Sequence, residues 1–352
     1  MLVYDKPDGR IDAGAAMPAV PTRLPVTIVT GYLGSGKTTL ISEMVRAPDM
    51  SGTAVIVNEL ADIGIDQSVI ADAGAGEVVL LSNGCLCCAR GSDLANTVRR
   101  LVNAGHAGGQ TIQRILIETS GAADPASIAR QVSFDPSLRN KVRYGGVLCL
   151  FDAVFGRGHL ERDPVGYRQI ALADMLYVTK TDLVSPAVTT ELTAWLGRLN
   201  AVPAITTAIG DAANFLTGRS RAAGKAGSIG WLGSAAEPAL RLHEAEIGSW
   251  SIQASGAIDW PLAEQALRII YDRHGDHILR TKGIIRTRDD ARPLVIHGIN
   301  RHFHRPLRLS GWEGEPATRM VVIGFPQAGE AAEEIARVLG GVAVGGTRVA
   351  RS

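Results

Sequence analysis

Between an apolar run at 26–30 and a helix-like apolar period from Thr39 to Val45, the chain reads Gly31-Tyr32-Leu33-Gly34-Ser35-Gly36-Lys37-Thr38. A G-x-x-x-x-G-K-[ST] string in that setting admits few folds, because it asks for a buried strand, a tight loop and a helix in immediate succession. Its glycines let the loop wrap closely, so that backbone N–H groups and the helix N-terminus face an anion. On this reading Gly31, Gly34, Ser35, Gly36, Lys37, Thr38 and Thr39 bind nucleotide phosphates. Lys37 bridges β- and γ-phosphate oxygens, and the Thr38 hydroxyl ligates Mg2+.

The same strand–helix rhythm continues. Short Val/Ile/Leu runs at 54–57, 78–81, 115–117, 147–151 and 176–178 alternate with segments long enough for crossover helices, as strands buried on both faces require. The expected fold is α/β, a P-loop NTPase with a doubly wound, mostly parallel sheet. A Gly/Ala/Ser-rich stretch follows, poor in core-forming residues. Beyond it a run at 248–254, one amphipathic segment at 261–271, four further close strand-like runs and a helical pattern at 330–339 suit a smaller α+β domain with an antiparallel sheet. The expected division is a flexible tail over 1–24, a nucleotide-binding domain over 25–210, a linker over 211–245 and a carboxy-terminal domain over 246–352.

Composition narrows the function classes. Thirty-six basic and thirty-five acidic residues leave a net charge of +1, so no bulk field argues for nucleic acid or an anionic membrane. No apolar run reaches the roughly 18 residues of a spanning helix, and the first two dozen residues carry Asp5, Asp8 and Asp12 without an apolar stretch. A cytoplasmic protein is expected, with self-association left open.

Chemistry at a γ-phosphate needs a carboxylate at a neighbouring strand end. The run 115–117 ends in Glu118, followed by Thr119-Ser120-Gly121. Glu118 is expected to support Mg2+ from its outer sphere or to orient the attacking water, and the Gly121 N–H to approach the γ-phosphate. After the run at 176–178 comes Thr179-Lys180-Thr181-Asp182, similar to the N-K-x-D element of GTPases with Thr in first place. The Asp182 carboxylate can accept from N1–H and the 2-amino group of guanine, while the Lys180 stem packs on the ring. Adenine lacks that donor pair, and a site built on such contacts discriminates by roughly 10⁴-fold. Thr179 lacks the Asn amide that usually braces the loop.

Three of the four cysteines, Cys85, Cys87 and Cys88, fall within four residues in Asn83-Gly84-Cys85-Leu86-Cys87-Cys88. They are too close to staple distant parts of a fold, which points to a reducing compartment and a thiolate site. A following helix N-terminus lowers thiolate pKa and favours metal ligation. Three ligands leave tetrahedral Zn2+ one open position; Cu(I), Co2+ and Ni2+ also suit the donor set. A buried or redox-active cluster is the competing reading. Cys149, inside an apolar run, is expected in the core. His302 and His304 are expected to form a surface pair.

Taken in order, the phosphate loop, the Asn83-Gly84-Cys-x-Cys-Cys segment, Glu118-Thr-Ser-Gly-Ala-Ala-Asp124-Pro125 and Thr179-Lys-Thr-Asp182 resemble the CobW-type metallochaperone GTPases. Leu279-Arg-Thr-Lys282-Gly283 and Met320-Val-Val-Ile-Gly324 resemble that family's carboxy-terminal domain. The resemblance implies GTP hydrolysis to GDP and phosphate, slow when unaided. It also implies binding of zinc or cobalt at the cysteines and delivery to a client metalloprotein. It further implies a switch segment at Asn58-Glu59-Leu60-Ala61-Asp62, with Glu59 in the magnesium sphere. Asp62, one methylene shorter than the family's usual Glu, is a further metal candidate. The alternative is a P-loop ATPase or kinase with structural or redox cysteines, which predicts adenine preference and indifference to replacement of Asp182.

Overall fold

Parallel strands covered on both sides need apolar side chains at odd and even positions alike, and strand β1 (Leu24–Gly31) is buried without interruption from Val26 to Gly31. A computed structural model describes residues 23–57, 77–80, 92–107, 110–163, 165–200, 204–218, 247–303, 306–312, 315–340 and 342–345. Cys85, Cys87, Cys88, Glu59, Asp62, His304, residues 1–22 of the tail expected over 1–24 and residues 219–245 of the expected linker lie outside the described residues.

The first unit runs β1, α1 (Lys37–Val45), β2 (Thr53–Val57), β3 (Glu77–Leu80), α2 (Ser92–Ala104), β4 (Arg114–Glu118), α3 (Pro125–Phe134) and β5 (Val142–Asp152). It continues with α4 (Gly156–Arg162), α5 (Val165–Leu172), β6 (Met175–Thr179), α6 (Pro186–Leu199), β7 (Ala204–Thr206) and α7 (Ile209–Leu216). Its main sheet orders seven strands as β3-β2-β4-β1-β5-β6-β7, and every pairing described within that sheet is parallel. The expected doubly wound sheet is present. Alternate residues serve opposite faces: Val26 and Ile28 join Ile115, Ile117, Leu94 and Ile128 on one side. Val29 joins Leu40, Ile41, Leu116, Leu148 and Phe215 on the other.

Strand order reverses about β1, whose neighbours β4 and β5 lead away to opposite edges. Such a switch point opens a crevice beyond the carboxyl ends of the strands, where ligands of α/β sheets sit. Helix α3 starts where Asp124-Pro125 directs: Asp124 accepts from the Ala126 N–H and Pro125 occupies the first turn, which fixes the loop after Glu118. Helix α7 buries Ala212, Phe215 and Leu216 against the first sheet. The packed chain therefore crosses the linker boundary expected at 210, because the apolar spacing of this helix outweighs its small residues.

The second unit comprises β8 (Gly248–Ala254), α8 (Trp260–His274), β9 (Ile278–Ile285), β10 (Leu294–Ile299), β11 (Thr318–Gly324), α9 (Ala328–Val338) and β12 (Val342–Gly345). Its main path is β10-β9-β11-β8-β12, all antiparallel. One face carries Ile278, Ile285, Met320 and Val322 against α8 and α9. The other carries Leu279, Ile284, Val321 and Ile323 against Ala171 of α5. The sheet is thus covered by its own helices on one side and by the first unit on the other. Among the described residues no helix is long and apolar enough to cross a membrane.

Candidate functional site

The loop after β1 needs its glycines for backbone reasons. Gly31, Gly34 and Gly36 have φ of 142°, 74° and 90°, values that side-chain-bearing residues rarely adopt. A Cβ on Gly31 would also meet the Leu150 carbonyl oxygen at 2.5 Å and Ser35 Oγ at 2.7 Å. Gly36 caps α1 with no side-chain hydrogen bond, so the first N–H groups of the helix face outward to the loop. Lys37, 8% exposed, donates from Nζ to the carbonyls of Gly31 at 2.8 Å and Tyr32 at 3.2 Å.

Glu118 ends β4 in register with Val29 of β1 and Val57 of β2, and is 2% exposed. Its Oε1 accepts from Thr38 Oγ1 at 2.7 Å. The next residues fold back along β1, with the Thr119 N–H donating to Val29 O at 3.0 Å and the hydroxyls of Thr30 and Thr119 2.8 Å apart. Gly121 then touches the phosphate loop so closely that a Cβ would lie 2.5 Å from the Leu33 nitrogen. Lys37, Thr38, Glu118 and Gly121, far apart in sequence, thus converge on one crevice at the switch point.

The segment expected to select the base lies beside it. Thr179, the last residue of β6, donates from Oγ1 to Ser35 O at 3.0 Å and Phe151 O at 3.3 Å. Thr179 lacks the Asn amide, as its sequence position indicates, but its hydroxyl reaches the phosphate loop. Lys180 has φ of 58°, a conformation disfavoured for a residue with a Cβ. Its Nζ donates to Asp152 Oδ2 at 2.6 Å and lies 5.9 Å from the Phe155 ring centre. Asp152 ends β5 and also accepts from the N–H groups of Val154 and Phe155. Burial pushes its carboxyl up, but the Lys180 ammonium and the two N–H donors outweigh burial and hold it below its ordinary value. Asp182 is exposed, in the short turn that follows Lys180.

Sequence reasoning missed Asp152 and Gln169. Gln169 of α5 donates to the carbonyls of Gly121 and Ala123. It also missed the buried joint between the units: Asp174 pairs with Arg280 and Lys282 and accepts from the Tyr144 hydroxyl and the Val147 N–H. Burial and the neighbouring Arg280 lower Lys282 to about 8, against the pull of Asp174. Cys149 is buried as expected, and burial pushes its thiol up to about 12. His302 stacks on Phe134 of the first unit at 4.9 Å. Burial, then Arg130 and Arg301, lowers its pKa. Among the described residues no three His, Cys, Asp or Glu side chains form a metal-ligating group.

Two family descriptions match the chain: the CobW/HypB/UreG nucleotide-binding domain over residues 25–206 and the cobalamin synthesis protein cobW C-terminal domain over 247–341. The zinc chaperone YjiA of Escherichia coli K12 is 27% identical over 306 residues, covering 85% of this chain and 93% of YjiA. The zinc-regulated GTPase metalloprotein activator 1 of Schizosaccharomyces pombe is 34% identical over 168 residues, 46% of this chain and 40% of that protein. The zinc chaperone CobW of Pseudomonas aeruginosa is 36% identical over 152 residues, 41% of this chain and 39% of that protein. The crystal structure of Zn(II)-bound YjiA GTPase from E. coli shares the fold with a TM-score of 0.62 at 24% identity, covering 90% of this chain and 98% of that one.

Proposed function

The chain belongs to the CobW/HypB/UreG family, and from that premise we propose that it is a GTPase that carries a transition metal and hands it to a client metalloprotein under nucleotide control. Zinc stands first among the candidate metals because YjiA and CobW are named zinc chaperones; Co2+ suits the same thiolates. The observation that carries the reading is the Thr38–Glu118 hydrogen bond of 2.7 Å at the mouth of a loop with three left-handed glycines.

That donor set fits Mg2+, a hard cation that takes few protein oxygens and keeps waters for the rest of its shell. The Thr38 hydroxyl, which donates its hydrogen bond to Glu118, would hold the ion through an oxygen lone pair, with Glu118 supporting it from behind. Held there, Mg2+ would supply positive charge to offset that developing on the phosphates during hydrolysis. Lys37 exchanges two carbonyl acceptors for phosphate oxygens, which are the stronger partners because they are charged. Gly121 gives its N–H to the γ-phosphate, and Glu118 orients the attacking water. Asp182 reads the guanine edge while the Lys180 stem packs on the ring.

Cys85, Cys87 and Cys88 hold the transported metal on the segment between β3 and α2. Glu59 and Asp62 follow β2, whose last residue Val57 is in register with Glu118. The strands that precede the switch segment and the cysteine segment, β2 and β3, are neighbours in the sheet, so a γ-phosphate that orders the first segment would be coupled to the second. Replacing Asp182 tests base choice. Asp182→Asn should weaken GTP binding at least a hundredfold and favour xanthosine triphosphate, whose 2-oxo group needs a donor. Unchanged GTP affinity would contradict the guanine assignment.

A further inference from the structure

Gln169 is 1% exposed, and its Nε2 donates to Gly121 O at 3.0 Å and Ala123 O at 3.2 Å. A buried amide with two such acceptors does more than fill space, since each unmade bond would leave a desolvated polar group. The acceptors belong to the turn Ser120–Ala123, closed by the Ala123 N–H on Ser120 O at 3.0 Å. In a trans peptide the carbonyl and the following N–H point opposite ways. Turning Ser120 O into the turn therefore sends the Gly121 N–H to the other side. The two Gln169 bonds also keep the Gly121 and Ala123 carbonyls occupied, so neither turns its partial negative charge toward a phosphate.

Helix α5 cannot easily retreat to relieve a lost bond. Arg168 binds Asp124 at 3.3 Å and lies over Phe325 of the second unit. Asn200 Nδ2 donates to Ile170 O at 2.7 Å and Ala171 O at 3.2 Å, and Arg280 of β9 donates to the Leu172 carbonyl. One helix thus grips the Gly121 turn at its middle and the carboxy-terminal sheet at its end.

We propose that Gln169 is a positioning residue for GTP hydrolysis, holding the Ser120–Ala123 turn in the arrangement that offers the Gly121 N–H to a γ-phosphate. The inference rests on the GTPase reading above. GDP has no group to meet Gly121, so loss of Gln169 is felt by the triphosphate alone.

The test uses the full chain with Gln169→Met, which keeps length and apolar bulk and removes both donors. Single-turnover hydrolysis should slow about ten- to a hundredfold, the range set by one or two buried hydrogen bonds. Affinity for a non-hydrolysable GTP analogue should fall several-fold while GDP affinity stays within about twofold. Equal losses for analogue and GDP, or an unchanged hydrolysis rate, overturn the proposal. If Gln169→Met does not fold, Gln169→Asn, too short to span both carbonyls, should show the same triphosphate-selective loss in smaller measure. Wild-type chain that neither binds nor hydrolyses GTP overturns the GTPase reading and this inference together. A GTP-hydrolysing wild type matched by its variants overturns only the inference.

Discussion

Replacing Asp174 by Ala strips the joint between the two units of its only anion among the side chains named there. Its carboxylate faces Arg280 and Lys282, which are 3% and 7% exposed, and accepts from the Tyr144 hydroxyl at 3.1 Å and the Val147 N–H at 2.9 Å. Burial pushes this carboxyl up, but the two cations and the N–H hold it well below the carboxylate range. Breaking a buried ion pair from one side costs about 3–5 kcal/mol, because the partner charge is left uncompensated. The bonds from the Tyr144 hydroxyl and the Val147 N–H are lost with the same carboxylate and are counted within that range. Lys282 can shed its proton and escape part of that penalty, whereas Arg280 cannot. The expected loss for Asp174→Ala is therefore about 4 kcal/mol, read from urea denaturation followed by far-ultraviolet circular dichroism at pH 7. Adding Lys282→Met removes one of the two buried cations that faced Asp174 and should recover a measurable part, a coupling that a double-mutant cycle isolates. A loss below about 1 kcal/mol, or a double variant no more stable than Asp174→Ala, would refute the reasoning.

Two further outcomes follow from the geometry. Thr179→Val removes the hydroxyl that reaches Ser35 O. Affinity for GDP and for a GTP analogue should fall together by about five- to tenfold, in contrast to Gln169→Met, as fluorescent-nucleotide titration would show. Lys282 is lowered from 10.5 to about 8 in the folded chain, so between those values the unfolded state binds more protons. Stability should accordingly rise as pH increases through that window, by at most about 1.4 kcal/mol per pH unit. Lys282→Met should flatten the rise, and an identical pH slope in the variant would count against the buried-lysine account.

Local patterns carried much of the fold and part of the site. The phosphate loop is a contiguous string, and its glycines are needed for left-handed backbone at 31, 34 and 36. Glu118 was legible because an acid ends an apolar run. Strand β7 (Ala204–Thr206) was missed because three residues cannot display a period, and α4 (Gly156–Arg162) because its two glycines break one. The residues that position the site were hidden for another reason. Asp152 meets Lys180 across 28 residues, Gln169 meets Gly121 across 48, and Asp174 meets Arg280 across 106. Nothing local marks a polar residue as buried until the partner strand or helix is in place. Thr179 is read against the usual Asn, and the hydrogen bond of its hydroxyl to Ser35 O spans 144 residues that no local pattern connects.

The central claim is that nucleotide state sets metal affinity, and zinc titration of the full chain with Mg2+ and either a non-hydrolysable GTP analogue or GDP tests it most directly. The account predicts one zinc per chain, bound at least about fivefold more tightly with the analogue. Zinc should tighten the analogue by the same factor, as reciprocity demands. Replacing Cys85, Cys87 and Cys88 together by Ser should abolish the zinc signal and leave GTP hydrolysis in place. Equal zinc affinity in the two nucleotide states, or zinc binding that survives the triple replacement, would contradict the account.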